Sequence, residues 1–251
     1  MQLIKFVYRG LMTGMPFLVY NPYSKVNFHS PFTISPNSLY INYKLDVEQL
    51  TQINNYIKQQ DNEFYLMPIS MEKAYEESLD YYISLNIYNC SSPVFLNDNQ
   101  ITRFEINTYI QDENKKGTLI IDYISNGLSM DPVNIFKNKD HLFYDANRIY
   151  GKNQDNSIYI NGSIHMDYTN HVFHVSDELS YYSDYIYYRN GIYDKLYYDT
   201  SLITATTFSP VIDNLEFRFL NLTFNKPDSI FYFKDQINFV GSMWDNLRIN
   251  D

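Results

Sequence analysis

From Arg103 to Asn107 the segment Ile101-Thr102-Arg103-Phe104-Glu105-Ile106-Asn107 switches between polar and apolar side chains at every step. Successive side chains of an extended chain point to opposite faces, so this period of two predicts a strand with Arg103, Glu105 and Asn107 on one face. A helix would scatter the same residues around its circumference. The pattern recurs at Leu39–Tyr43, and further strands are predicted at Glu63–Ile69, Thr118–Tyr123, Tyr168–Val175, Tyr193–Tyr198, Leu215–Phe224 and Ile230–Phe233. The polar run Asp112–Gly117 joins two of these as a hairpin. A second hairpin is predicted from Ser157–Ile160 to Ser163–Asp167, turning at Asn161-Gly162, the dipeptide that best suits a type I′ turn. Tyr and Phe, 26 and 17 residues against one Trp, fit half-buried pleated surfaces and reinforce the β reading.

Helices are few. Asp46–Gln60 places Val47, Leu50, Ile53 and Ile57 on one face, with Asp46 as a cap and Glu48 in the first turn. A shorter helix is predicted from Asp131-Pro132 to Lys137, and a third from Ser176 to Arg189-Asn190-Gly191. Many strands and about three short helices describe a mainly β (α+β) fold, closed or nearly closed. No linker, repeat or change of composition divides the 251 residues. One domain is expected, with residues 1–37 as a strand-and-loop arm.

Charge narrows the function classes. The net charge is −10, and the basic runs Lys115-Lys116 and Lys137-Asn138-Lys139 are too short for a phosphate-backbone surface, so no nucleic-acid partner is expected. A single cysteine, Cys90, excludes an internal disulfide and points to a reducing, cytoplasmic setting. The apolar stretch Leu11–Tyr20 is broken by Gly14 and Pro16, which argues against a leader peptide, and no run is long enough for a membrane helix. The sequons at Asn89, Asn161 and Asn221 are read as chance in an Asn-rich chain. Only eight glycines and no phosphate-cradling loop or nucleophile elbow leave no cofactor signature.

Several segments, in order, resemble the acetoacetate decarboxylase-like superfamily, in particular its branch related to the bacterial YqjF proteins. They are Leu45–Leu50, Glu63–Ser70, Arg103–Ile110 with Gly117–Tyr123, Ser176–Arg189 with Gly191–Tyr193, and the closing strands Leu215–Val240. The resemblance spans about residues 38–245. It implies a partly closed antiparallel β-barrel or cone around a central small-molecule pocket, with a lyase-type chemistry in which a lysine forms a Schiff base with a β-keto acid. The family's lysine stretch is matched nearest by Ile135-Phe136-Lys137-Asn138-Lys139, without its Gly and Pro and with an Asn between the lysines.

Candidate site residues follow. Lys137 or Lys139 is the candidate amine, since burial or a neighbouring cation makes a lysine neutral and nucleophilic; the alternative is a solvated basic end to the short helix. Glu105 is the candidate acid/base and Arg103 the candidate carboxylate anchor, with Asp122 on the partner strand as a weaker member of the same set. The alternative for this row is an exposed polar sheet face. Tyr185, on the tyrosine-rich third helix, is a candidate pocket-lining residue. His165, Asp167 and His171 have metal-ligand character if a tight turn folds them together, although His174 falls out of phase. The expected partner is a small-molecule ligand or substrate, a keto or related organic acid, and assembly with copies of itself stays open. The alternatives are a non-catalytic binder of an apolar ligand and a metal-dependent enzyme at the histidine hairpin.

Overall fold

The structure is a computed structural model that describes residues 29–60, 65–69, 79–91, 100–111, 116–126, 140–145, 147–165, 173–174, 186–188, 194–196, 206–208, 211–234 and 236–242. The elements in chain order are β1 (His29–Ile34), β2 (Ser38–Lys44), α1 (Val47–Gln60), β3 (Tyr65–Leu66), β4 (Tyr82–Ser91), β5 (Ile101–Gln111), β6 (Lys116–Ser125), β7 (His141–Asp145), β8 (Arg148–Lys152) and β9 (Ile158–His165). They continue as β10 (Phe173–His174), β11 (Ile186–Tyr188), β12 (Asp194–Leu196), β13 (Thr206–Phe208), β14 (Val211–Phe219), β15 (Leu222–Phe224), β16 (Ser229–Phe233) and β17 (Ile237–Ser242).

Two sheets share one core. The large sheet runs β10-β13-β16-β2-β4-β5-β6-β11-β12, with β1 joining β17 and β4, and β3 joining β5. The small sheet runs β15-β14-β9-β8-β7. Among the described residues all pairings are antiparallel except β11 with β6, which is parallel. The fold is therefore mainly β, as expected, and it does not close into a complete barrel among the described residues.

Period-two patterning explains how the large sheet finds the small one. Leu39, Ile41, Ile83, Leu85, Ile87, Phe104, Ile106, Leu119 and Ile124 share one face and bury against Ile149, Ile158, Ile160, Ile164, Phe217 and Phe219 of the small sheet. Tyr43 packs against the stacked pair Phe217 and Phe224, with centroids 5.5 and 5.6 Å away. Helix α1 covers the end of this core with Ile53 and Ile57, and Tyr56 meets Phe219 edge-on. Its start is a reciprocal capping box: the Gln49 amide donates to Asp46 Oδ1 at 2.8 Å, and the Asp46 amide donates to Gln49 Oε1 at 3.0 Å. Val47, expected on the apolar face, is 82% exposed because it opens the helix beyond the edge of the core.

Gly151 sets the approach of the sheets, since a Cβ there would lie 2.6 Å from the Phe104 ring. A different junction converges on Asn37, in the left-handed region at φ 69°. The Tyr144 hydroxyl donates to its carbonyl and the Tyr232 hydroxyl to its side-chain oxygen, tying β7 and β16 to the turn before β2.

Three sequence expectations are corrected. Asn161-Gly162 is not a turn: β9 runs through it, with Asn161 paired to both Tyr150 and Glu216. The glycine serves close approach instead, since a Cβ at Gly162 would come 2.8 Å from Leu215, at the bulge between Asp213 and Glu216. The left-handed hairpin turn lies at Leu220-Asn221, φ 51° and 62°, which splits the expected strand Leu215–Phe224 into β14 and β15. Finally, the helix expected over Ser176–Asn190 is interrupted by β11, because ladder bonds to β6 outweigh local helix signals in a tyrosine-rich run. The helix expected from Asp131 lies outside the described residues.

Candidate functional site

The opposite face of the same four central strands carries the candidate site. Ladder register arranges it in rows. One row contains Tyr88, Arg103 and Ser125; the next contains Tyr40, Asn86, Glu105 and Tyr123; a third contains Asn42, Ser84, Asn107 and Ile120. This polar face is buried at its centre: Arg103 and Asn107 are each 2% exposed and Glu105 is 5%. The solvent-facing alternative for the Arg103–Glu105–Asn107 row is thereby excluded. Burying so many polar groups costs several kcal/mol wherever hydrogen bonds are incomplete, roughly 1–3 kcal/mol per orphaned group, so such a face is not a product of selection for stability alone.

Within it, Arg103 Nε and Glu105 Oε1 form an ion pair at 2.8 Å. The guanidinium also lies over the Tyr123 ring, with Cζ 3.9 Å from its centroid. Planar cations stack well on aromatic faces, so Tyr123 holds the guanidinium plane while Glu105 holds its edge. Burial pushes the Tyr40 phenol well above the ordinary tyrosine range, with the Glu105 charge and then Tyr109 adding to the effect. Tyr40 and Glu105 share this row on either side of Asn86. The Ser84 hydroxyl donates to Asn86 Oδ1 at 2.8 Å. Asn42 Nδ2 donates to Ser229 Oγ at 3.2 Å. Asn42 Oδ1, Asn107 Oδ1 and Ser38 Oγ are buried and meet no hydrogen-bond partner among the described residues.

Asp140 secures the end of β6. Its amide donates to the Ser125 carbonyl at 2.9 Å, and the Ser125 amide donates to Asp140 Oδ2 at 3.2 Å. Ser125 is the ladder partner of Arg103.

The remaining candidates divide. Asp122 pairs with Ile106 at the bulge in the β5–β6 ladder, on the core face and not with Glu105. Its carboxylate accepts from the Tyr123 amide at 2.7 Å. The extra residue of the bulge shifted the alternation that had grouped Asp122 with Arg103 and Glu105. Lys137, Lys139 and Tyr185 lie outside the described residues, as do Asp167 and His171. His165 is exposed, and no group of three or more His, Cys, Asp or Glu suited to a metal occurs among the described residues. Sequence reasoning missed Tyr40, Asn42, Ser84, Asn86, Tyr88, Tyr123 and Ser125 as members of the face. The signal for three of them was present, because Ile83-Ser84-Leu85-Asn86-Ile87-Tyr88 alternates as strictly as β5 does.

No protein-family model and no curated protein matches the chain. Solved structures do. An acetoacetate decarboxylase from Legionella pneumophila superposes with a TM-score of 0.54 at 13% identity, over 92% of this chain and 95% of that one. The enduracididine biosynthesis enzyme MppR, complexed with the condensation product of pyruvate and imidazole 4-carboxaldehyde, gives a TM-score of 0.53 at 8% identity, over 90% and 93%. The chain thus has the acetoacetate decarboxylase-like fold. At such identities the likeness speaks for architecture. Roles for side chains rest on this chain's own geometry.

Proposed function

We propose that this chain is a small-molecule pocket protein that takes a keto or related organic acid onto the polar face of the large sheet, as an enzyme of lyase type. One observation carries the reading: a largely buried face on four adjacent strands holds an arginine, a glutamate, three asparagines and three tyrosines where a structural sheet would carry aliphatic side chains. Ligand sites combine such convergent polar groups with aromatic walls. The same polarity disfavours the alternative of a cavity for an apolar ligand.

In this proposal Arg103 anchors the substrate carboxylate and Glu105 exchanges a proton at the reacting carbon, with Tyr40 as a neighbouring donor. Lys137 or Lys139 supplies the amine. The hydrogen bonds from Asp140 to Ser125 support this, since Lys139 directly precedes Asp140 in the chain and Ser125 is paired with Arg103. The amine adds to the ketone carbon and water leaves. Carbon dioxide departs with its bonding electrons passing into the iminium, and protonation of the enamine followed by hydrolysis restores the lysine. The complex of MppR with a pyruvate condensation product supports carbonyl chemistry on this kind of architecture. Within the fold, the element order supports placement beside the YqjF-related branch. A cytoplasmic setting fits Cys90, the single cysteine of the chain, which is buried; no helix among the described residues is long and apolar enough to cross a membrane.

Borohydride reduction of the protein with acetoacetate, followed by peptide mass spectrometry, tests the proposal. A reduced adduct on the peptide containing Lys137 and Lys139 is expected. Absence of an adduct, or one confined to other lysines, ends the Schiff-base reading.

A further inference from the structure

Two side-chain amide oxygens of the buried face stand out. Asn42 Oδ1 and Asn107 Oδ1 are both buried acceptors without a donor among the described residues. They lie in one row, on either side of Ser84, whose own hydroxyl is committed to Asn86. The Asn42 amide nitrogen already donates to Ser229, so its oxygen is the atom left over. Asn42 and Asn107 are each 2% exposed, which denies both oxygens bulk water. Ser38 Oγ, on the same face, is two rows away and as a hydroxyl can either give or accept. On the other side, Arg103 is committed to Glu105 by its edge and to Tyr123 by its face.

We propose that the ligand of this face presents a hydrogen-bond donor, an ammonium, a hydroxyl or an amide N–H, to Asn42 and Asn107. The inference rests on the proposed pocket and specifies the ligand it selects. Two residues of strand separate the Asn107 row from the Glu105 row, about 7 Å at the usual strand rise. A carboxylate held by Arg103 over the Glu105 row thus leaves the donor on the γ-carbon or beyond. A ligand carrying only a ketone there meets oxygen with oxygen and leaves both asparagine acceptors unsatisfied. One carrying an alcohol satisfies one of them, and an ammonium has donors enough for both. The chain's net charge of −10 further favours an ammonium group.

Isothermal titration calorimetry of the full chain tests this with three probes on one carbon skeleton: laevulinate, γ-hydroxyvalerate and γ-aminovalerate. The hydroxy and amino acids are expected to bind at least about tenfold more tightly than the keto acid, the scale of one satisfied buried hydrogen bond. Asn42→Leu combined with Asn107→Leu should erase that preference, and Asn107→Leu alone should reduce it. Asn107→Asp, which keeps an acceptor in the same shape, should keep it for γ-aminovalerate, and it stands as the control if the leucine variants fail to fold. Equal affinities, or a preference for laevulinate, overturn the inference and leave the proposed pocket intact. Binding of none of the three probes overturns the pocket and the inference together.

Discussion

Phe104 and Glu105 are consecutive residues of one strand, both buried, and their surroundings are opposite in kind. Phe104 faces the small sheet in a continuous layer of Leu, Ile and Phe side chains, 0% exposed. Glu105 faces the other way into rows of Arg, Asn, Ser and Tyr, 5% exposed. The core face shows what folding requires: apolar area removed from water, tightly packed. The polar face shows what folding alone does not produce. A buried ion pair contributes little or nothing net compared with apolar side chains of the same volume, yet it becomes costly once one partner is lost. The difference separates residues that hold the sheet together from residues that the sheet holds in place.

The sharpest way to break this contrast is to disturb each face at its centre. Phe104→Ala should destabilise the fold by about 3–5 kcal/mol in denaturant titrations, as aromatic truncations in cores do. Ligand affinity of the folded fraction should hardly change. Glu105→Leu should cost a similar amount, about 3–5 kcal/mol, because Arg103 is left as an uncompensated buried charge. The double replacement Arg103→Met with Glu105→Leu should instead return stability to within about 1 kcal/mol of the parent, or above it, while binding of organic acids is lost. A double variant as unstable as the single one would mean that the polar face is structural after all, and the contrast would dissolve.

Smaller effects test how closely the sheets are fitted. Gly151→Ala forces a methyl group against the Phe104 ring and should cost about 1–3 kcal/mol in the same titration. Removing the helix cap with Asp46→Ala touches neither face and should cost about 1 kcal/mol. The mildest probe is alkaline pH. Burial raises the phenols of Tyr40, Tyr43 and Tyr144 well above their ordinary range. A group that releases its proton less readily when folded contributes stability that is intact below its unfolded pKa, about 10 for tyrosine, and that is lost as pH rises beyond it. Thermal melts should thus be flat from neutrality to about pH 10 and fall above it. Tyrosinate absorbance should show a fraction of phenols that ionise only on unfolding.

Much of this was legible in local pattern. Arg103, Glu105 and Asn107 were placed on one strand face by alternation alone, and Asp46, Ile53 and Ile57 marked a capped helix with one buried side. Other readings failed where a long-range contact overrode a local preference. Asn161-Gly162 has the chemistry of a turn but sits in mid-strand, because Leu215 crosses over Gly162. Asp122 kept the right strand and lost the right face through a single bulged residue. No local pattern marks Ile186–Tyr188 as a strand, because that state depends on pairing with β6, far away in sequence.

What the chain determined by itself was its mainly β character and which side chains share a face, because alternation is a property of each strand's own backbone. Whether the polar face would meet water or be enclosed depended on the neighbouring strands, since burial is a property of how elements assemble. Only the tertiary structure could bring Tyr40, Asn86 and Tyr123 beside Glu105, from strands separated by up to 83 positions of sequence between Tyr40 and Tyr123.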